Sequence, residues 1–212
     1  MTDRPRIYVL AGVNGTGKSS LGGAAFREFG ADYYNPDEVA RELRSARPEL
    51  TWPEVNGTAW RLGRALLERA IQERLSFAFE TTLGGKTIPR LLGEAAKGGI
   101  EILVWYAGLE SPELHIHRVA ARVNRGGHSI PEEAIRRRWE RSRLNLVQLL
   151  PALAALRVYD NSEHADPAAG EPPAPRLVLH VEKGLIVGPK DLSRTPDWAK
   201  PIVATALQRH LS

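Results

Sequence analysis

Gly12-Val13-Asn14-Gly15-Thr16-Gly17-Lys18-Ser19 meets the pattern G-x-x-x-x-G-K-[ST] at every fixed position. This composition would produce such a match by chance about half a per cent of the time. The setting sharpens it. The apolar run Arg6-Ile7-Tyr8-Val9-Leu10-Ala11 reads as a buried strand, and a segment able to form a helix follows as far as Gly30. Glycines let the backbone bend so that successive N–H groups point inward at phosphate oxygens, and the helix N-terminus behind them adds a favourable dipole. Lys18 then reaches the β- and γ-phosphates, and the Ser19 hydroxyl is a ligand for Mg²⁺. Gly12, Asn14, Gly15, Thr16, Gly17, Lys18, Ser19 and Ser20 are therefore the expected contacts for ATP.

Outward from this loop the pattern alternates. Residues 33–34 read as a short strand, 37–47 as a helix after the turn Asn35-Pro36, and 52–75 as a long amphipathic helix that Gly57 interrupts or delays. A strand at 76–81, a helix at 86–97 and a strand at 100–107 follow. Two Arg-rich helices (112–124 and 131–150) are split by Arg125-Gly126-Gly127-His128, and a strand lies at 157–159. After the Pro-rich link 166–175 come a hairpin (177–181 with 185–187) and a closing helix at 198–211. Strands alternating with helices predict an α/β fold, a P-loop NTPase-type parallel sheet flanked by helices. The 212 residues suit one domain, with a lid at about 112–145 and a small C-terminal hairpin and helix at about 175–211.

Composition removes several classes. No apolar run approaches the ~18 residues of a membrane span, so no membrane contact is expected, and the N-terminus has no secretory leader pattern. Cysteine is absent, which excludes disulfides, a thiolate nucleophile and a Cys-type zinc site, and suits the cytoplasm. The net charge is only +4, and Trp139 alone interleaves with the arginines, so nucleic acid is not the expected partner. No guanine-type N-K-x-D motif is present.

A kinase needs a base near the acceptor hydroxyl and cations over the transferring phosphoryl. Asp37 lies just beyond the second strand, at the sheet edge where ligands bind. It reads either as a general base or as a cap of the following helix. Glu80 and Thr82 end the next strand at the same edge, where they can hydrogen-bond an acceptor or the water shell of the metal. Between residues 118 and 143 lie Arg118, Arg122, Arg125, Arg136, Arg137, Arg138, Arg141 and Arg143, opposed by Glu132, Glu133 and Glu140 only. Arg118, Arg122 and Arg125 share a helical face. Guanidinium forks suit phosphoryl oxygens, so the two helices read as a lid over the triphosphate, with a solvated basic face as the other reading.

GVNGTGKSS (12–20), NPDEVA (35–40), FETTL (79–83), the lid stretch 111–142 and VYDNS (158–162), in that order, resemble the zeta-toxin-like P-loop kinases, closest to the branch labelled predicted ATPases. The resemblance covers roughly residues 5–162. It implies transfer of the ATP γ-phosphate to the 3′-hydroxyl of UDP-N-acetylglucosamine, the reaction by which zeta-type toxins poison cell-wall synthesis, and a possible antitoxin as protein partner. By the same resemblance Asp37 is the base, Lys18 and Ser19 serve the phosphates, and Asn35, Glu80 and Thr82 hold the acceptor. Arg122 and one of Arg137 or Arg138 contact the γ-phosphate, His128 belongs to the G-G-H turn of the lid, and residues 159–162 seat the adenine. Asp37 is followed by Glu38-Val39-Ala40, where the best-known toxins carry a bulky aromatic and a basic residue. A nucleotide, another sugar or an antibiotic hydroxyl is the alternative acceptor, and a non-kinase ATP-binding protein acting on nucleic acid the alternative class.

Overall fold

The computed structural model describes residues 4–18, 33–124, 127–163 and 175–210. The helix expected up to Gly30, the Ser19 and Ser20 contacts, Arg125-Gly126 of the lid turn and most of the Pro-rich link fall outside these residues. Seven described strands form one sheet: β1 (Arg6–Ala11), β2 (Tyr33–Tyr34), β3 (Phe77–Thr81), β4 (Glu101–Gly108), β5 (Ala155–Asp160), β6 (Arg176–Glu182) and β7 (Leu185–Gly188). Their order is β2-β3-β1-β4-β5-β6-β7. The first five run parallel, and β6 and β7 are antiparallel. The expected hairpin thus extends the main sheet.

Around the sheet pack α1 (Pro36–Ala46), α2 (Trp52–Gln72), α3 (Thr87–Lys97), α4 (Pro112–Val123), α5 (Glu132–Leu149) and α6 (Lys200–His210). Alternation in the strands sorts side chains between the two faces. Ile7 and Val9 enter the large core with Ile102, Val104, Leu156 and Leu179, whereas Leu10 meets Ala78 on the other face. Each such fully buried aliphatic contributes about 1.5–3 kcal/mol relative to exposure.

Helix α2 is continuous through Gly57, a difference from the sequence expectation. Pro53 in its first turn and the Glu54 carboxylate, which accepts from Thr51 N at 2.7 Å, start it before Gly57 is reached, and Val55, Ala59, Gly63, Leu67 and Ala70 bury one face. The lid helices are likewise rooted in the body. Val13 of the phosphate loop clusters with Val119 and Ile135, and Leu146 and Leu149 of α5 sit in the main core.

Strand order reverses at β1: β3 lies on one side and β4 on the other. A crevice outside the carboxyl ends of the strands is the consequence, and the loops after β1, β2, β3 and β5 converge there.

Candidate functional site

The chain turns sharply after Ala11. Gly12, Gly15 and Gly17 take φ of 147°, 89° and 75°, values that L side chains resist. Gly12 N donates to Thr81 O (3.1 Å), and a Cβ on Gly12 would lie 2.5 Å from the Ala107 carbonyl oxygen. The loop is therefore wedged between β3 and β4. Its carbonyls and side chains are held from behind. His115 Nδ1 donates to Asn14 O (2.7 Å), Asn161 Nδ2 donates to Thr16 O (2.7 Å), and Thr16 Oγ1 donates to Val13 O (2.9 Å). Thr16, expected at the nucleotide, thus uses its side chain to shape the loop, while Asn14 is held through its main-chain carbonyl. Residues 159–162, expected around adenine, buttress the loop through Asn161.

Lys18 is buried with its Nζ 3.3 Å from Glu80 Oε1, while Tyr33 donates to Glu80 Oε2 (2.9 Å). Glu80 is therefore the counterion of the phosphate-loop lysine as well as a lining residue of the crevice.

Asp37 occupies the first turn of α1, and the cap of that helix is Asn35, whose Oδ1 accepts from Asp37 N (2.9 Å) and Glu38 N (3.4 Å). Pro36 in the first turn explains the assignment, since proline favours the position after the cap. The capping alternative for Asp37 is overturned and its carboxylate faces the crevice. Asn35, expected at the acceptor, is buried with its oxygen committed to the cap, and it does not line the crevice.

Arg122 Nη1 lies 3.8 Å from Asp37 Oδ2, and the Nε and Nη2 atoms of the same guanidinium are buried with no hydrogen-bond partner among the described residues. Arg138 Nη1 donates to Asn14 Oδ1 (2.8 Å). Arg137, the alternative to Arg138 as a phosphate contact, pairs with Glu133 (3.2 Å) and does not line the crevice. One residue is about 100° on a helix, and Ile135, Arg138, Ser142, Leu146 and Leu149 share the inward stripe. Three other arginines serve structure. Arg136 bonds Glu113 across the two lid helices, Arg118 holds the Ser162 and Glu163 carbonyls, and Arg143 stacks 3.5 Å from the Trp139 ring centroid.

The crevice beside the loop has a volume of about 480 Å³. Asp37, Glu80, Thr82, His128 and Arg138 all line it, together with Asn14 of the loop. His128 is not a surface histidine. It is buried and stacks on Trp52 (centroids 4.9 Å, 28°), and burial lowers its pKa, with Asp37 opposing and Arg122 and Arg138 reinforcing the shift.

Sequence reading missed the opposite wall. Trp52, Asn56, Trp60 and Arg64 recur every fourth residue along α2 and all line the crevice. That spacing was a usable signal. Trp60 is 44% exposed, with the Arg64 guanidinium 6.0 Å from its ring centroid.

His115 was also missed. Burial depresses its pKa to about 4, so it is neutral above that value and donates through Nδ1. Between pH 6.5 and about 4 the unfolded chain binds a proton that the folded chain refuses, so stability falls as pH drops through that window, by about 3 kcal/mol in total. His115→Asn keeps a donor near the same place and does not titrate. Urea unfolding at several pH values should show a flatter profile for the variant; parallel profiles would exclude His115 as the source.

A family model described as Zeta toxin matches residues 1–166. An uncharacterized protein of Haemophilus influenzae (strain Rd) is 30% identical in an alignment of length 147 that covers 64% of this chain and 99% of that protein. Among solved structures, a chain of the AvrRxo1-ORF1:-ORF2 complex with ATP has a TM-score of 0.66 at 15% identity, covering 97% of this chain and 64% of that one. This chain thus spans less than two thirds of that neighbour's length. A chain of the PezAT chromosomal toxin–antitoxin system of Streptococcus pneumoniae has a TM-score of 0.53 at 15% identity, covering 100% and 89%. At these identities the likeness is one of fold.

Proposed function

Because the chain belongs to the zeta toxin family, we propose that it is a P-loop kinase transferring the γ-phosphate of ATP to a hydroxyl of a small molecule, with a nucleotide sugar such as UDP-N-acetylglucosamine as the favoured acceptor. The observation that carries this reading is the meeting of Asp37 and Arg122, 3.8 Å apart, beside a phosphate loop and a crevice of small-molecule size. An anion recognised by the unpartnered Nε and Nη2 of Arg122 would lie next to a carboxylate able to take a proton.

In this mechanism the acceptor oxygen bonds to the γ-phosphorus as the bond to the β–γ bridging oxygen breaks and ADP leaves. The hydroxyl proton passes to Asp37. Lys18 and the loop N–H groups neutralise the β- and γ-oxygens, and Arg122 and Arg138 stabilise charge on the equatorial oxygens. Glu80 and Thr82 take hydrogen bonds from the acceptor. Mg²⁺ suits hard oxygen donors of the Glu80 and Ser19 type beside phosphates, and when bound it adds charge neutralisation there. No described helix is long and apolar enough to cross a membrane. ATP supply makes the cytoplasm the expected compartment. A protein partner of antitoxin type belongs to this reading, supported by the PezAT neighbour, a chain of a toxin–antitoxin system.

The aromatic wall favours an acceptor with a planar group, as a nucleotide sugar has. Stacking of a base on an aromatic side chain is worth about 1–3 kcal/mol, so Trp60→Ala should raise the acceptor KM roughly 5–100-fold with ATP KM unchanged. An unchanged acceptor KM would remove Trp60 from the site.

The test of the whole reading is incubation with labelled ATP, Mg²⁺ and a panel of nucleotide sugars, nucleosides, sugars and aminoglycosides, read by mass spectrometry. One acceptor should gain a phosphate, and Lys18→Ala should abolish the gain. ATP hydrolysis that depends on Lys18, with no acceptor modified and steeply salt-dependent binding to DNA or RNA, would replace the kinase by the nucleic-acid reading.

A further inference from the structure

We propose that the C-terminal segment, from β6 to α6, is a working part of the nucleotide site and that Trp198 is the positioning residue through which it acts. The proposal rests on the ATP reading above, and it concerns residues beyond the 1–166 that the family model matches. Trp198 is buried against the end of β4, where a Cβ on Gly108 would come within 2.2 Å of the indole. Only glycine admits the ring at that position.

From this seat the indole Nε1 donates to Asp160 Oδ1 (3.2 Å). The same oxygen accepts from Ser162 N (3.3 Å) and Oγ, and Arg176 Nη2 donates to Asp160 Oδ2 (3.3 Å). Two donors from the C-terminal segment thus fix the turn that follows β5. That turn carries Asn161, which is buried, donates to Thr16 O, and lies so near Gly17 that a Cβ there would be 2.8 Å from its Nδ2.

The other side of Trp198 reaches the lid. Its carbonyl accepts from Arg143 Nη1 (3.4 Å) on α5, the helix that also directs Arg138 at Asn14. Its ring lies 6.2 Å from that of Tyr106, whose hydroxyl donates to Ser142 of α5 (3.0 Å). One residue, through its indole and its carbonyl, therefore braces both the floor of the phosphate loop and the helix above it. A loop whose N–H groups must all face an anion binds more tightly when its backbone is already held, because less ordering remains to be done on binding.

Direct calorimetry of MgATP on the full chain, with the acceptor KM measured alongside, tests this. Trp198→Phe removes the N–H and should weaken ATP binding about 3–10-fold, the range of couplings carried through packed contacts, with acceptor KM unmoved. In an Asn161→Ala background the same change should add little, because the two residues act in series. Asp160→Ala, which leaves the indole in place and removes its acceptor, should reproduce the weakening and serves if Trp198→Phe does not fold. Wild-type ATP affinity in Trp198→Phe, full additivity with Asn161→Ala, or equal losses for ATP and acceptor would each overturn the proposal. A wild-type chain that does not bind ATP would instead overturn the nucleotide reading on which it rests.

Discussion

Arg122→Ala is expected to lower phosphoryl transfer by about 10³–10⁵-fold, the range for a guanidinium acting on a transferring phosphoryl group. Two of its nitrogens, Nε and Nη2, are already out of water and unpartnered, so the cost of desolvating them is met before any phosphate arrives. Charge grows on the equatorial oxygens only along the reaction coordinate, so the loss should fall on kcat far more than on ATP affinity. Arg122→Lys should rescue poorly, since a point charge cannot reproduce a planar fork that also faces Asp37. Single-turnover kinetics with a nucleotide-binding titration separate the two parameters. A variant with normal turnover that no longer binds nucleic acid would make this arginine part of a binding patch. Pairing within the lid argues against such a patch, because Arg136 and Arg137 are held by Glu113 and Glu133.

Asp37→Asn should cost about 10²–10⁴-fold in transfer, the usual contribution of a general base. Helix α1 keeps its cap, because Asn35 Oδ1 and not the Asp37 carboxylate accepts from the first-turn N–H groups. The half-exposed pair with Arg122 adds at most about 1 kcal/mol, so melting temperature should move little. Asn35→Ala provides the contrast: it should lower stability by about 0.5–2 kcal/mol. Transfer by Asp37→Asn within a few-fold of wild type would move the search for the base elsewhere. Glu80 would be a poor second choice, since both of its oxygens are engaged, by Lys18 and by Tyr33.

The sequence by itself determined the phosphate loop, the alternation of strands and helices, and the sheet edge at which Asp37, Glu80 and Thr82 gather. These are properties of contiguous residues: glycine φ, proline at a helix start, and the period of burial are set within a few positions of each other. The cap at Asn35 was legible on the same terms, through Pro36, although Asp37 competed for the role. The inward stripe Ile135, Leu146 and Leu149 also held the signal that separates Arg138 from Arg137.

Only the tertiary structure decided what the long side chains meet. An arginine spans several ångströms on rotatable bonds, so helical spacing narrows its direction and leaves its partner open. Eight clustered arginines read alike in sequence. Of those that are described, Arg138 lines the crevice and Arg122 faces Asp37, while Arg118, Arg136, Arg137 and Arg143 meet carbonyls, carboxylates or an indole. His115 and Trp198 are further cases. Each lies far along the chain from the loop it supports, and their roles exist only because the sheet brings the ends of β1, β4 and β5 together.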